Sequence, residues 1–434
     1  MACLAVVQAQ LRKLAAGVSE GQMVRSALTP LRRQPFRVAS LCVTPLDFGA
    51  ALRAAQDADP ASISDIVETV ANTLGATDVV VYMVDFGQAT LEPLPDRRAH
   101  ADLPVSESVA TTMAGRAFVA QRVTSVQRPT GVRVWAPVVE GSDRTGVVAL
   151  TVSEATESVM QACEEIGLFA GYLIATQSRF TDLYNLHRRR RSLSLAASMQ
   201  WDLLPPLVLK TQRMTVAGVL EPAYDVGGDC FDYALNHAVF DMAIFDAMGH
   251  GLQAALVASL AVGSYRHDRR ENHPLEKMHS ALDTALAQQF QGSVFATGLL
   301  ARVELDTGLI TWTNAGHPPP ILIRGGTALG ELQCEPTVPW GLAAITGTIE
   351  EPSMASERLE PGDRVLFYTD GVVEAHLPGQ EPFGVERLLE LITRHSSDQQ
   401  AAEEIVRLAV GAVLDHQSDE LPDDATVVLF QWNG

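Results

Sequence analysis

The chain has 434 residues, 47% hydrophobic, 19% charged and 6% aromatic, a globular composition that excludes a disordered or collagen-like chain. Lys and Arg total 32 against 52 Asp and Glu, a formal charge of −20, which argues against broad binding to nucleic acid or anionic membrane, where cations must meet phosphate. The five cysteines are scattered and form no CxxC pair, so neither a disulfide framework nor a zinc site is expected, and a reducing compartment fits.

In chain order, residues 1 to about 55 read as a poorly ordered extension, because Arg32, Arg33, Pro35 and Arg37 break any long helix. No secretory signal is read, since Gln8, Gln10, Arg12 and Lys13 interrupt the early apolar residues. A first domain is expected over 56–175. Asp59 and Pro60 are a helix start, followed by Ile63, Ile66, Val67, Val70, Ala71 and Leu74 at helical spacing. Asp78 to Asp85 reads as a strand, Ser106 to Ala120 as a helix, Val132 to Val139 and Gly146 to Val152 as a strand pair, and Ser158 onward as a last helix. The apolar stretch Ile166 to Ala175 within it is too short to span a bilayer, so a cytoplasmic protein without a membrane partner is expected. Helix, strand, helix, hairpin and helix make an α+β module. This order, with Ser108 to Phe118 as the helix before the later strands, resembles a GAF domain. The resemblance implies a small-molecule ligand or a dimerisation role; a ligand-free dimerisation module is the alternative.

A linker helix is expected over 176–206, with Leu186, Leu193, Ala197 and Leu204 as a short coiled-coil-like seam and Pro205-Pro206 as its stop. The run Arg188 to Arg191 within it reads as a solvated helix face rather than a nucleic-acid contact. A second domain is expected over 212–434. Its strands are Met214 to Leu220, Val239 to Phe245, Ala296 to Leu305, Leu309 to Asn314, Pro320 to Arg324, Arg364 to Thr369 and Ala425 to Gln431. Its helices, Gly251 to Arg266, Pro274 to Phe290, Val385 to Arg394 and Gln399 to Val413, come in pairs. A β-sandwich flanked by helix pairs is the predicted fold, preceded by the α+β module and the linker.

The chemistry-bearing residues of this domain are carboxylates at strand ends. Asp229 lies in Asp225-Val-Gly-Gly-Asp-Cys-Phe-Asp232. Asp246 ends a strand before Ala247-Met-Gly-His-Gly251, Asp370 ends another before Gly371, and Asp423-Asp424 precede the last strand. Strand ends are rigid, so such carboxylates can be aimed at one point. Clustered carboxylates repel one another unless cations lie between them, and an oxygen-rich set without Cys or paired His favours Mg²⁺ or Mn²⁺. Taken singly, each of these segments is an ordinary turn or acidic loop.

The set as a whole, in order over about 230 residues, resembles the metal-dependent protein phosphatases of type 2C, in the bacterial branch of stage II sporulation protein E and the sigma-factor regulator phosphatases. The segments that carry the resemblance are Met199 to Pro206, Tyr224 to Asp229, Phe245 to Gly251, Asn314 to Pro320, Leu359 to Gly371 and Asp423 to Thr426. It implies two Mn²⁺ or Mg²⁺ ions held by Asp229, Asp246, the Ala247 carbonyl, Asp370 and Asp423, with Asp423 preferred over Asp424. It implies hydrolysis of phosphoserine or phosphothreonine by a two-metal-activated water, with Asp229 and Asp246 catalytic. The implied substrate is a phosphorylated anti-sigma-factor antagonist. His250 is a candidate proton donor, against the reading of a helix-start histidine that hydrogen bonds its loop; His317, before Pro318 to Pro320, reads as part of a structural turn. The helices Gly251 to Arg266 and Pro274 to Phe290 resemble the pair that regulates this branch, which implies that the sensor and linker bias their packing. A homodimer is expected. The alternatives are a non-enzymatic scaffold that binds metal without turnover, and a phosphatase of small molecules.

Overall fold

The computed structural model describes residues 46, 48–94, 104–221, 227–342, 351–377, 379–398, 400–417 and 424–434. The N-terminal module opens with α1 (Phe48–Gln56), inside the stretch read as an extension: Ala55 is buried and Phe48 packs against Phe169 with ring centroids 5.2 Å apart. A 3₁₀ turn, Pro60–Ser62, leads into α2 (Ile63–Asn72), and Asp59 accepts the Ala61 N–H at 3.0 Å as its cap. There follow β1 (Thr77–Val84), β2 (Thr90–Pro93), β3 (Glu107–Ser108), α3 (Met113–Ala120), β4 (Thr124–Arg128), β5 (Gly131–Glu140), β6 (Asp143–Val152) and α4 (Glu157–Gln177). The strands form one antiparallel sheet in the order β3-β2-β1-β6-β5-β4. Helices α1, α2 and α4 bury Val67, Ala71, Ile166 and Phe169 with Val81, Val134 and Leu150 of the sheet, while Phe118 of α3 packs with Tyr82, Trp135 and Val147. The helix predicted from Ser106 starts at Met113 instead. Thr112 caps it by accepting the Gly115 N–H at 3.1 Å, and Gly115 permits the tight entry, since a Cβ there would lie 2.1 Å from the Val109 carbonyl oxygen.

The predicted continuous linker helix is not formed. After α4 come a 3₁₀ turn (Ser178–Phe180), α5 (Leu183–His187) and, past a break, α6 (Leu195–Leu203). The break is held by specific contacts. The Phe86 N–H donates to the Arg188 carbonyl at 3.3 Å, Arg188 Nε donates to the Val84 carbonyl at 2.9 Å, and its guanidinium lies 4.6 Å from the Phe86 ring centroid. Ser194 then caps α6 by accepting the Ala197 N–H at 3.0 Å. The expected seam is therefore split: Leu186 is exposed, Leu193 packs with Phe86 and Trp201, and Ala197 is buried. Arg188 is structural rather than a solvated cation; Arg190 and Arg191 are exposed.

The C-terminal half contains β7 (Val208–Lys210), β8 (Met214–Glu221), β9 (Asp229–Asn236), β10 (Val239–Ala247), α7 (Leu252–Arg270), α8 (Leu275–Phe290), β11 (Ala296–Glu304), β12 (Leu309–Ala315), β13 (Ile321–Arg324), β14 (Thr327–Glu331), β15 (Ala355–Arg358), β16 (Arg364–Tyr368), α9 (Asp370–Val373), α10 (Val385–Ser397), α11 (Ala402–His416) and β17 (Ala425–Trp432). Two antiparallel sheets, β15-β12-β11-β10-β9 and β14-β13-β16-β17-β8-β7, pack face to face. Phe231, Phe240, Phe367 and Phe430 fill the space between them, Phe240 and Phe430 stacked with centroids 5.0 Å apart. Helices α7 and α8 cover the outer face of the first sheet, and α10 and α11 that of the second. This is the β-sandwich flanked by helix pairs that the sequence predicts.

Pro45–Gly434 is one compact unit, and the β5–β6 turn docks the first module on the sandwich. Ser142 Oγ donates to the Lys210 carbonyl at 3.1 Å, and Asp143 Oδ2 accepts the Leu207 N–H at 2.9 Å. The buried Arg144 donates to Gln88 Oε1 and the Glu403 carbonyl, each at 3.2 Å, and to Glu404 Oε2 at 3.3 Å. Phe86 of the module and Trp201 of α6 are 4.7 Å apart by ring centroids. No helix among the described residues is long and apolar enough to cross a membrane.

Candidate metal centre

One end of the sandwich gathers the acidic strand ends. Asp229 opens β9 and Asp246 lies near the end of β10, and the two are register partners across the antiparallel pair. Asp229 is buried; Asp246 is half-buried. Beneath them the second sheet reaches over. Thr369 Oγ1 and Thr426 Oγ1 donate to Asp229 Oδ2 at 2.6 and 2.7 Å, and the Thr426 N–H donates to Thr369 Oγ1 at 2.9 Å. Thr369 is the N-cap of α9, so Asp370 follows directly, half-buried. Gly371 is pressed on the start of β17: a Cβ there would lie 1.9 Å from the Asp424 carbonyl oxygen.

Asp424 holds the loop that precedes Asp229. Its Oδ2 accepts the N–H groups of Gly228 and Asp229 at 2.6 and 3.0 Å and the Gln200 side-chain amide at 3.0 Å. Gln200 Nε2 also donates to the Asp229 carbonyl at 2.6 Å, so α6 is tied to this end of the sandwich. The Ala247 N–H donates to the Gly228 carbonyl at 3.2 Å, and a Cβ on Gly228 would lie only 3.0 Å from the Ala247 carbonyl oxygen, so glycine leaves that carbonyl accessible. Three residues along β9, Asp232 is paired at 2.7 Å with both Arg266 and Arg269, locking α7 to the strand that carries Asp229.

Burial raises the Asp229 carboxyl well above its usual range, and the neighbouring charges of Asp246 and Asp424 push it the same way; the hydroxyls of Thr369 and Thr426 oppose the shift. Buried carboxylates that repel one another fit a cation between them, and an all-oxygen donor set fits Mn²⁺ or Mg²⁺. Among the described residues no group of three or more His, Cys, Asp or Glu side chains is arranged to hold a metal ion. Asp423 lies outside the described residues. The structure thus brings Asp229, Asp246 and the Ala247 backbone together and sets Asp370 beside Asp424, which is buried in loop contacts. His250 is exposed on the loop after Ala247, between Gly249 and Gly251, both at positive φ (85° and 73°).

His317 is structural, as its triproline context suggests. Its N–H and carbonyl pair with the Asn314 side chain at 2.8 Å each, Nδ1 meets Thr297 Oγ1 at 3.0 Å, and Nε2 donates to the Tyr368 carbonyl at 3.1 Å, clasping the two sheets. Burial lowers its pKa to about 3, so it stays neutral. His279 of α8, between Thr313 and Thr337, is held neutral in the same way, at about 4. Sequence reasoning missed Gln200, Thr369, Thr426 and the Asp232 pairs. Gln200 lies inside a quoted motif and the threonines flank quoted acids, so proximity to those motifs was the available signal.

Residues 238–433 match the family model described as Stage II sporulation protein E (SpoIIE). Phosphoserine phosphatase RsbU of Bacillus subtilis is 26% identical over 273 residues, 61% of this chain and 77% of the relative. Phosphoserine phosphatase RsbP of the same organism is 25% identical over 190 residues, 43% of this chain and 46% of the relative, so the chain spans less than half of that protein. The solved RsbU and RsbW domains of a Mycobacterium tuberculosis protein align at 24% identity with a TM-score of 0.44, over 51% of this chain and 62% of theirs. The C-terminal half, similar to SpoIIE over the matched residues, is a metal-dependent protein-serine/threonine phosphatase domain, a class that works with two Mn²⁺ or Mg²⁺ ions.

Two outcomes follow from this geometry. Gly371→Ala forces α9 off the Asp424 backbone; since a displacement of about 1 Å at a reacting centre costs on the order of 100-fold in rate, Mn²⁺-dependent turnover falls by that order while far-ultraviolet circular dichroism is unchanged. The two buried neutral histidines carry pKa values below the unfolded value of about 6.5, so the unfolded state takes up their protons first as pH falls. Stability is full above pH 6.5 and is lost as pH drops from there toward 4, by ~2 kcal/mol per histidine at pH 5. Urea unfolding at pH 7 and pH 5 measures the loss, and His279→Gln removes its share of the slope.

Proposed function

We propose that this chain hydrolyses phosphoserine or phosphothreonine on a regulatory protein, a phosphorylated anti-sigma-factor antagonist, under control of its N-terminal module, in a cytoplasmic homodimer. The observation that carries the reading is the assembly of acids from remote segments at one sandwich end. The match over 238–433 and the two relatives named as phosphoserine phosphatases support it. Asp229, Asp246, the Ala247 carbonyl, Asp370 and Asp423 would hold the two ions. Bound there, Mn²⁺ or Mg²⁺ lowers the pKa of water and neutralises phosphoryl oxygens. The chain's own groups do the rest. Thr369 and Thr426 fix the Asp229 carboxylate, and Gln200 with Asp424 fixes the backbone beside it. His250, exposed on the loop after Ala247, is the candidate to protonate the departing serine or threonine oxygen. The buried, neutral His317 is not.

Residues 56–175 are read as the GAF-like sensor, with a small-molecule ligand or a dimerisation role, and residues 212–434 as the phosphatase domain, with α6 of the linker packed against it. Adjacent residues of α6 face both ways: Gln200 contacts Asp229 and Asp424, and Trp201 packs on Phe86. A shift of the module that moves α6 therefore moves the backbone of an acid, with α7 packed alongside. The intact acid set speaks against the inactive-scaffold reading.

The direct test is Mn²⁺-dependent release of phosphate from a phosphoserine antagonist protein, which Asp246→Asn should lower by at least about 100-fold; a metal-binding scaffold would show no turnover in the wild type. Arg144→Ala cuts the tie to Glu403 and Glu404. It should change the basal rate of the full chain about fivefold or more, the scale of a coupling free energy between sites, with the Mn²⁺ concentration for half-maximal activity as the second readout; an unchanged rate counts against sensor control.

A further inference from the structure

We infer that an apolar ridge beginning at the metal-site loop is the docking surface for the phosphoprotein substrate, an inference that rests on the phosphatase reading above. Met248, two residues past Asp246, and Leu252 and Leu256 of α7 are 47–48% exposed. Leu252 and Leu256, four apart in α7, lie on one helix face, and the half-buried Leu260 continues the line away from the site; Met248 precedes the helix, on the loop with Gly249 and Gly251. From Leu252 to Leu260 the ridge runs about 12 Å at 1.5 Å per residue.

Met248, Leu252 and Leu256 lie outside the core cluster, and only Leu260, at the far end of the ridge, packs against it. The opposite side of α7, through Ala254, Val257, Ala258, Ala261 and Val262, already fills the core under the first sheet. Among the described residues of this half, the other large apolar side chains at comparable exposure are Leu195, Leu329 and Met354, each on a different segment. Three exposed apolar side chains within nine residues of chain, beside the candidate site, form a patch rather than isolated exposure.

Charge points to the occupant. The segments that bring the acids together, 227–234, 244–256, 366–373 and 424–430, contain no Lys or Arg. A phosphoryl group there would be held by the metal ions of the proposed site, with no Lys or Arg of these segments to add to it. Contacts that select one phosphoprotein then fall to the surface around it, and the ridge is the apolar surface continuous with the Asp246 loop. The partner it fits is a folded phosphoprotein that presents an apolar patch next to its phosphoserine or phosphothreonine.

The test compares two substrates on the full chain with Mn²⁺: a phosphoserine antagonist protein and p-nitrophenyl phosphate. Leu252→Gln with Leu256→Gln should raise KM for the phosphoprotein about tenfold, a loss of ~1.4 kcal/mol in binding, and leave p-nitrophenyl phosphate turnover unchanged. Leu329→Gln, an equally exposed site on β14, should change neither. An unchanged phosphoprotein KM, an equal fall on both substrates, or a change of oligomeric state in sedimentation (a self-association surface) overturns the inference. A wild type inactive on both substrates overturns the phosphatase reading and the ridge with it.

Discussion

A buried carboxylate at the seam of two sheets organises this molecule. Asp229 belongs to the first sheet, yet its side chain is held by Thr369 and Thr426 of the second. Desolvating a carboxylate is costly unless hydrogen bonds or cations compensate. Here two hydroxyls supply part of that compensation, while Asp246 and Asp424 add repulsion that a proton or a cation relieves. The same end is reinforced by the neutral His317 clasp, which spans the sheets without adding charge. A charged histidine in that position would itself require burial of an ion, so the clasp works only because the ring stays uncharged.

How much of this was readable beforehand depended on whether a residue's role was written in local pattern. The long strands β10, β11 and β17 and the helix pairs α7–α8 and α10–α11 have strong periodicity, and their cores match the pattern. β9 was missed as a strand because Gly227-Gly228 and the acids Asp229 and Asp232 read as a turn. Both acids are buried there by long-range partners, hydroxyls from the other sheet and arginines from α7, which no local window contains. β14 and β15 are short, largely exposed edge strands with little apolar alternation. The acids of the site were legible as a set because each sits beside a strand end, but their supports were not. Gln200 looks like any helix polar residue until α6 is packed against the loop before β9.

The linker shows the opposite error, a local pattern overruled by tertiary contact. Leucines near seven-residue spacing suggest one helix, yet Arg188 gains more by capping the Val84 carbonyl and lying on Phe86 than by continuing a helix. Helix propensity differences are tenths of a kcal/mol per residue, so two such contacts decide the conformation. The cost of the break is limited because Ser194 restarts a capped helix at once.

That break also determines what can be transmitted. A continuous helix would carry rotation or translation along its own axis. A short α6, detached from α5, touches both halves: Gln200 is hydrogen-bonded to Asp229 and Asp424, and Trp201 packs on Phe86. Its C-terminal end is fixed as well, since Arg266 of α7 donates to the Leu203 carbonyl while pairing with Asp232. Any movement of α6 must therefore strain three bonded neighbours together: the loop before β9, the aromatic contact with the module, and the Asp232 pairs. Close packing with such ties leaves little room for a shift of α6 that disturbs only one of them.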